Sequence, residues 1–268
     1  MKFVSRRGVG EDLERARELI LAKGGEVGRE LHLLADTEST NDEAKRAAKS
    51  GAPHGSVWVT EVQTKGRGRQ GRVWVSPPRE NLLFSVLLRL RCPPARLPPL
   101  ALVAGLAVRD AVARAARKAE PKLKWPNDVL VGGRKLAGVL VEATLAGQRV
   151  DAVVVGIGIN VHTREFPEDL QGRATSVALV SDLPPDRGVL LADVLEGLDR
   201  DMALAAERGL GLVHARLTAA DALVGTRVRA EGVEGLARGI DLEGRLVVER
   251  DDGALVRVTS GEVHAGVS

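Results

Sequence analysis

Tyrosine is absent from this chain of 268 residues, and six rings supply all its Phe and Trp: Phe3, Trp58, Trp74, Phe84, Trp125 and Phe166. The core therefore has to be packed mainly from Leu, Val and Ala. A single cysteine, Cys92, excludes an intrachain disulfide and fits a reducing compartment. Followed by Pro93 and Pro94 with no obvious base nearby, it reads as chemically inert. No apolar run is long enough to span a bilayer; the stretch from Leu97 to Ala113 is broken by prolines and by Arg109. The stretch from Met1 to Glu14 lacks the apolar segment of a secretory signal. These absences lead to the expectation of a soluble cytoplasmic protein with no membrane partner. A formal charge of +3 is too small to imply a polyanion partner by itself.

What is present is ordinary for a folded domain: 44% hydrophobic and 28% charged residues, which argues against disorder and against a fibre. The length suits one large domain with a smaller one appended. Residues 11–23 suit a short helix closed by Gly24 and Gly25. One helix cannot make a helix-turn-helix, so residues 1–28 are expected to be an N-terminal extension without DNA-binding capacity. A strand over 30–35 leads to Thr40 and Glu43, spaced as a capping box, which predicts a helix from Thr40 to Gly51. Strands are expected at 56–63, 81–90, 123–125, 129–131, 136–143 and 150–155, and helices at 98–117, 189–207 and 210–222. Gly132-Gly133 marks a tight turn. From Gly225 onward, short β-rich runs are broken by glycines, which predicts a small barrel. The expectation is an α+β protein with a catalytic domain over 29–222 and a C-terminal barrel over 223–268.

Three segments carry candidate chemistry. The first, Thr64 to Arg72 (TKGRGRQGR), combines three glycines with three arginines and a lysine. Such a loop can fold over a phosphate-bearing ligand, contact nucleic acid, or be a solvated basic turn. Trp74 beyond it is either a stacking surface or core. The second is Lys124 to Val129 (KWPNDV), followed by Lys135 to Glu142 (KLAGVLVE). Asn127 and Asp128 suit a strand-end turn, and Lys135 can either reach water or point into a pocket. The third, Val153 to Val161 (VVVGIGINV), lacks the third glycine and the helix of a dinucleotide-binding turn. Its Asn160 can serve a base edge or a turn.

In order and spacing these segments resemble one family. Ser39-Thr40-Asn41, Gln63 with GRGRQGR, KWPND with the Lys135–Gly138 KLAG, and GIGIN are similar to the catalytic core of biotin–protein ligases. The residues from Ala237 to Asp241, with Gly244, Asp252-Gly253 and Gly261 to Val263, resemble that family's SH3-like C-terminal barrel. The likeness runs from about residue 30 to the end. It implies a mixed-sheet catalytic domain that converts biotin and ATP into biotinyl-5′-AMP. The biotin is then passed to a lysine of a biotin carboxyl carrier protein, such as that of acetyl-CoA carboxylase.

The resemblance implies biotin contacts for Ser39, Thr40, Asn41, Gln63, Arg67, Gly68, Arg69, Lys135 and Gly138. It implies ATP or adenylate contacts for Arg69, Arg72, Trp74, Lys135 and Asn160. Lys135, Arg67 and Arg69 are the expected catalytic cations, with Mg²⁺ as cofactor and Asp128 as candidate metal ligand or partner of Lys135. It also admits a homodimer. A lipoate–protein ligase is the neighbouring alternative, although lipoate ligases generally lack the arginine-rich loop. A nucleic-acid-binding module is the alternative outside enzymes. Against the latter, the C-terminal segment holds more acidic than basic residues and no aromatic.

Overall fold

Leu82–Leu88 is buried at every position, as a strand must be when both faces of its sheet are covered. It lies inside an eight-stranded sheet in the computed structural model, which describes residues 4–5, 8–146 and 149–266. The strands are β1 (Val4–Ser5), β2 (Leu31–Leu34), β3 (Ser56–Thr60), β4 (Leu82–Leu88), β5 (Lys122–Lys124), β6 (Asp128–Val131), β7 (Arg134–Ala146) and β8 (Arg149–Ile159). Their order is β1-β2-β3-β4-β8-β7-β6-β5. The first three are parallel to one another and every other pairing is antiparallel, so the sheet is mixed.

Alternation along β4 divides the two faces. Leu82, Phe84, Val86 and Leu88 join the main core. That core also takes in α1 (Glu11–Lys23), α3 (Leu100–Ala115) and α5 (Arg187–Arg208). Leu87, together with Trp58, Ala152 and Val154, packs instead under α2 (Thr40–Lys49) through Ala44 and Ala48. Ser85 lies on this second face. With only ten residues, α2 covers just part of that face, and the remainder is open to ligand.

A buried ion cluster joins the layers: Arg187 of α5 bonds Asp12 and Glu61, and Glu61 also accepts from the Gly10 N–H. Its side chains are only 4% (Arg187) and 1% (Glu61) exposed. Glu61 stands two residues before Gln63, so the cluster anchors the approach to the arginine-rich loop.

Two short helices follow, α4 (Val177–Val180) and α6 (His214–Ala220). Then come β9 (Arg227–Ala230), β10 (Val233–Ile240), β11 (Leu246–Glu249), β12 (Leu255–Val258) and β13 (Val263–Ala265). They pair antiparallel in the order β12-β11-β10-β9-β13, the small C-terminal β-unit expected. Trp125 plugs the junction between the two sheets, fully buried, its indole N–H donating to the Gly244 carbonyl at 2.9 Å.

Several local expectations change in detail. The capping box does not form: Ser39 is the N-cap, Glu43 accepts from the Thr37 hydroxyl at 2.7 Å, and the Thr40 hydroxyl turns to Gln63. Tertiary partners have outcompeted the local motif. The helix expected at 210–222 is a 3₁₀ turn, Leu210–Leu212, followed by α6. β8 continues to Ile159 rather than ending at 155, carrying the GIGI glycines inside the sheet. The Gly132-Gly133 turn forms as expected, with φ of 56° and 75°.

Candidate active site

The open part of the α2 face is floored by glycine. Gly138 of β7 pairs with Gly158 of β8, and Ser85 of β4 pairs with Gly156 of β8. These glycines make room for other side chains. A Cβ on Gly156 would lie 2.2 Å from Asn41 Oδ1, and one on Gly158 would lie 2.6 Å from the Trp74 ring. Above the floor opens a cleft of about 1420 Å³, more than the ~300–1,000 Å³ usual for one small ligand. Every site residue named from the sequence lines it: Ser39, Thr40, Asn41, Gln63, Arg67, Gly68, Arg69, Arg72, Trp74, Asp128, Lys135, Gly138 and Asn160.

At one end the start of α2 builds a buried polar cup. Ser39, Thr40 and Asn41 are 3–4% exposed. Gln63 Oε1 accepts from the Thr40 N–H at 2.9 Å and from its hydroxyl at 3.1 Å. The Ser85 hydroxyl stands 2.7 Å from Thr40 Oγ1 and 2.5 Å from Asn41 Oδ1. The Asn41 amide N–H donates to Glu142 at 2.7 Å. Each short polar group thus has a fixed orientation, which suits recognition of a compact ligand bearing both donors and acceptors.

The arginine-rich loop crosses the cleft. It is closed on itself by Gly68 N–H to Arg72 C=O at 2.7 Å and Trp74 N–H to Gly66 C=O at 3.0 Å. Arg67 grips Asp42 through both terminal nitrogens, at 2.6 and 2.7 Å. Arg69 reaches Asn127 Oδ1 and the Gly261 carbonyl, both at 3.4 Å, long contacts that leave its donors weakly committed. Arg72 pairs with Glu262, so the loop also touches the C-terminal unit. The Trp74 indole lies on the Gly138/Gly158 floor, and its buried N–H finds no acceptor among the described residues.

Across from the loop, Lys135 Nζ lies 2.7 Å from Asp128 Oδ1 and 5.6 Å from the Trp74 ring centre. Its ammonium is therefore aimed into the cleft rather than along the outer surface. The Lys135 backbone is pinned between Arg173 C=O and Thr175 N–H. Asn160 is buried and donates its amide to the Thr175 carbonyl at 3.1 Å. Asn160 thus lines the cleft while bracing the 173–175 segment. Among the described residues no group of three or more His, Cys, Asp or Glu could hold a metal. Asp128, the one candidate ligand, is already paired with Lys135. That donor set does not fit a resident metal centre.

Local fields hold the charges where they stand. The Arg67 guanidinium lowers the Asp42 carboxyl to about 2. Burial pushes the Glu142 carboxyl up, but hydrogen bonds from Lys45 and Asn41 outweigh it and the group stays below its ordinary value. Burial lowers Arg69. Ser85, Asp42 and Glu142 escaped the sequence reading. The signal for Ser85 was faint: a lone hydroxyl in the apolar run LLFSVLL.

The chain matches the model of the biotin/lipoate A/B protein ligase family over residues 33–160 and that of the biotin protein ligase C-terminal domain over 224–264. A biotin–[acetyl-CoA-carboxylase] ligase of Mycobacterium tuberculosis is 38% identical over 93% of this chain and 94% of that one. The chain belongs to the biotin protein ligase family. The bifunctional ligase/repressor BirA of Bacillus spizizenii is 33% identical over 90% of this chain and 75% of that protein. Among solved structures, the Aquifex aeolicus biotin protein ligase in complex with biotin and ATP aligns with a TM-score of 0.76. Its identity is 31%, over 90% of this chain and all of that one. These relatives do not favour the lipoate ligase alternative. No helix among the described residues is long and apolar enough to cross a membrane.

Proposed function

We propose that this chain activates biotin with ATP and transfers it to a carrier-protein lysine. The supporting observation is one cleft that unites the buried Thr40–Asn41–Gln63–Ser85 cup with Lys135 and the arginine-rich loop. The cup suits the ureido ring of biotin, whose two N–H donors and one carbonyl match short side chains of mixed polarity. Ser39 and Gly68 line the same cleft, and Gly138 lets Trp74 and Lys135 lie close over the floor. The adenylate would lie toward Trp74, Arg72 and Asn160. In this reading residues 29–222 form the catalytic unit and 223–268 the barrel that closes one side of the cleft.

In the first step a biotin carboxylate oxygen attacks the α-phosphorus of ATP, and pyrophosphate leaves. Both reactants are anionic, so alignment and charge neutralisation are the main demands. Lys135, held by Asp128 and facing the Trp74 ring, supplies a fixed cation between the two ends of the cleft. Arg69 supplies the second, since only long contacts engage it. One such group is worth on the order of 3–4 kcal/mol in the transition state. Mg²⁺ belongs to the substrate in this scheme, arriving on the ATP phosphates, as that ion commonly does. In the second step a carrier lysine nitrogen attacks the acyl carbon and AMP leaves. The loop keeps water from the mixed anhydride in the interval.

The partner is the biotin carboxyl carrier domain of an acetyl-CoA carboxylase or related carboxylase, and the compartment is the cytoplasm. Incubating the purified chain with ATP, Mg²⁺, biotin and such a domain should add one biotin at one lysine, read by intact-mass spectrometry. An unmodified carrier alongside accumulating AMP would contradict the transfer step.

A further inference from the structure

Among the described residues of the loop, Lys65 and Arg72 each pair with one carboxylate, Glu38 and Glu262, whereas Arg67 is engaged by two, Asp42 and Glu142. We propose that Asp42 and Glu142 form a carboxylate latch that holds the arginine-rich loop over the cleft through Arg67. The two acids thereby set how long the adenylate remains enclosed. The inference rests on the ligase reading and changes the role expected for Arg67, from neutralising phosphate to positioning the loop.

Arg67 lies between Gly66 and Gly68, in a segment with little rigidity of its own. Its partners are rigid. Asp42 sits in the first turn of α2, and Glu142 lies within β7. The guanidinium is bidentate on Asp42, at 2.6 and 2.7 Å, a geometry that fixes direction as well as distance. Its second terminal nitrogen also reaches Glu142 Oε2 at 3.4 Å. That same oxygen accepts from the Asn41 amide at 2.7 Å. Lys45 holds Glu142 Oε1 at 2.8 Å and Asp42 Oδ1 at 3.1 Å, so two acids face two cations.

Two consequences follow from this arrangement. Arg67 has little charge to offer a phosphate, which leaves that work to Lys135 and Arg69. Glu142 also joins the loop to the polar cup through one atom. A ligand that fixes the Asn41 amide fixes Glu142, and through it the arginine of the loop. Asp42 and Glu142 are therefore positioning residues that need never touch substrate.

The test uses the full chain and two readouts. Hydrogen–deuterium exchange over residues 64–73 reports the loop, and release of preformed biotinyl-AMP reports enclosure. Asp42→Asn and Glu142→Gln should each raise loop exchange and speed release by about 5-fold, equivalent to about 1 kcal/mol. Asp42→Arg combined with Arg67→Asp should restore loop protection that either single reversal removes, a rescue that general destabilisation cannot produce. Wild-type loop exchange and wild-type release in both Asp42→Asn and Glu142→Gln would overturn the latch. If loop protection falls as expected but the wild-type chain neither binds nor forms biotinyl-AMP, the ligase reading fails while the latch stands.

Discussion

Gly156→Ala isolates the part of the site that composition alone does not explain. Gly156 is mid-strand and its φ is not left-handed, so alanine costs nothing in backbone strain. The intrinsic effect should even favour the sheet by about 0.5–1 kcal/mol. The objection is purely steric: the added methyl would sit 2.2 Å from Asn41 Oδ1, 2.9 Å from its Cγ and 3.0 Å from its Nδ2. Asn41 would have to leave Ser85 and Glu142, giving up a neutral hydrogen bond and a charge-assisted one. Those are worth about 1 and about 1.5–3 kcal/mol. The net expected loss of stability is thus about 2–3 kcal/mol. Loss of one directed polar contact to biotin should weaken binding by about 10- to 100-fold. Urea denaturation measures the first and titration calorimetry with biotin the second. Adding Asn41→Ala removes every atom in the clash but restores neither hydrogen bond, so the double variant should be no less stable than Gly156→Ala and should still bind biotin poorly. A Gly156→Ala protein with wild-type stability and wild-type affinity would refute the reasoning.

Other consequences are equally direct. Lys135→Ala should slow adenylate formation by about 100- to 1,000-fold, the scale of one lost electrostatic stabiliser, with biotin affinity changed only a few-fold; equal losses in single-turnover and binding assays would contradict its placement. Trp125→Phe strands the Gly244 carbonyl at the junction of the sheets and should cost about 1–3 kcal/mol in chemical denaturation; a change below about 0.5 kcal/mol would show the bond to be dispensable. The Asp42 carboxyl titrates at about 2 in the fold against 3.8 ordinarily, because Arg67 holds it ionised. A lowered carboxylate pKa stabilises above the unfolded value and loses that contribution as pH falls through the folded one. Loop protection by Arg67 should therefore hold from neutral pH to about pH 4 and fade toward about pH 2; loss near pH 6 would point to another group.

How far the sequence could be read depends on which contacts are local. The arginine-rich loop, KWPND with its following lysine, and GIGIN were legible because their spacing is a property of the chain. Helix α1 and the Gly132-Gly133 turn were legible for the same reason, through stop signals and glycines at positive φ. Glu142 was not, because its meaning comes from a partner 101 residues away across the sheet. The same holds for the GIGI glycines. As a motif, GxG is weak; as a floor, Gly156 and Gly158 are each required by one side chain, Asn41 of α2 and Trp74 beyond the loop, brought against them by tertiary packing. The capping box failed at Thr40 because Gln63 and Ser85, remote in sequence, were the better partners. In sequence Asp128 read equally as a turn residue or as a group positioning metal or Lys135; the fold sets its carboxylate 2.7 Å from the Lys135 ammonium.

The central claim is that this cleft makes biotinyl-AMP. Exchange of labelled pyrophosphate into ATP, run with biotin, with lipoate and with no added acid, tests it most directly. Exchange that requires biotin and is lost in Lys135→Ala is the predicted result. Exchange supported by lipoate and not by biotin, or none with either acid in folded protein supplied with Mg²⁺, would contradict the account.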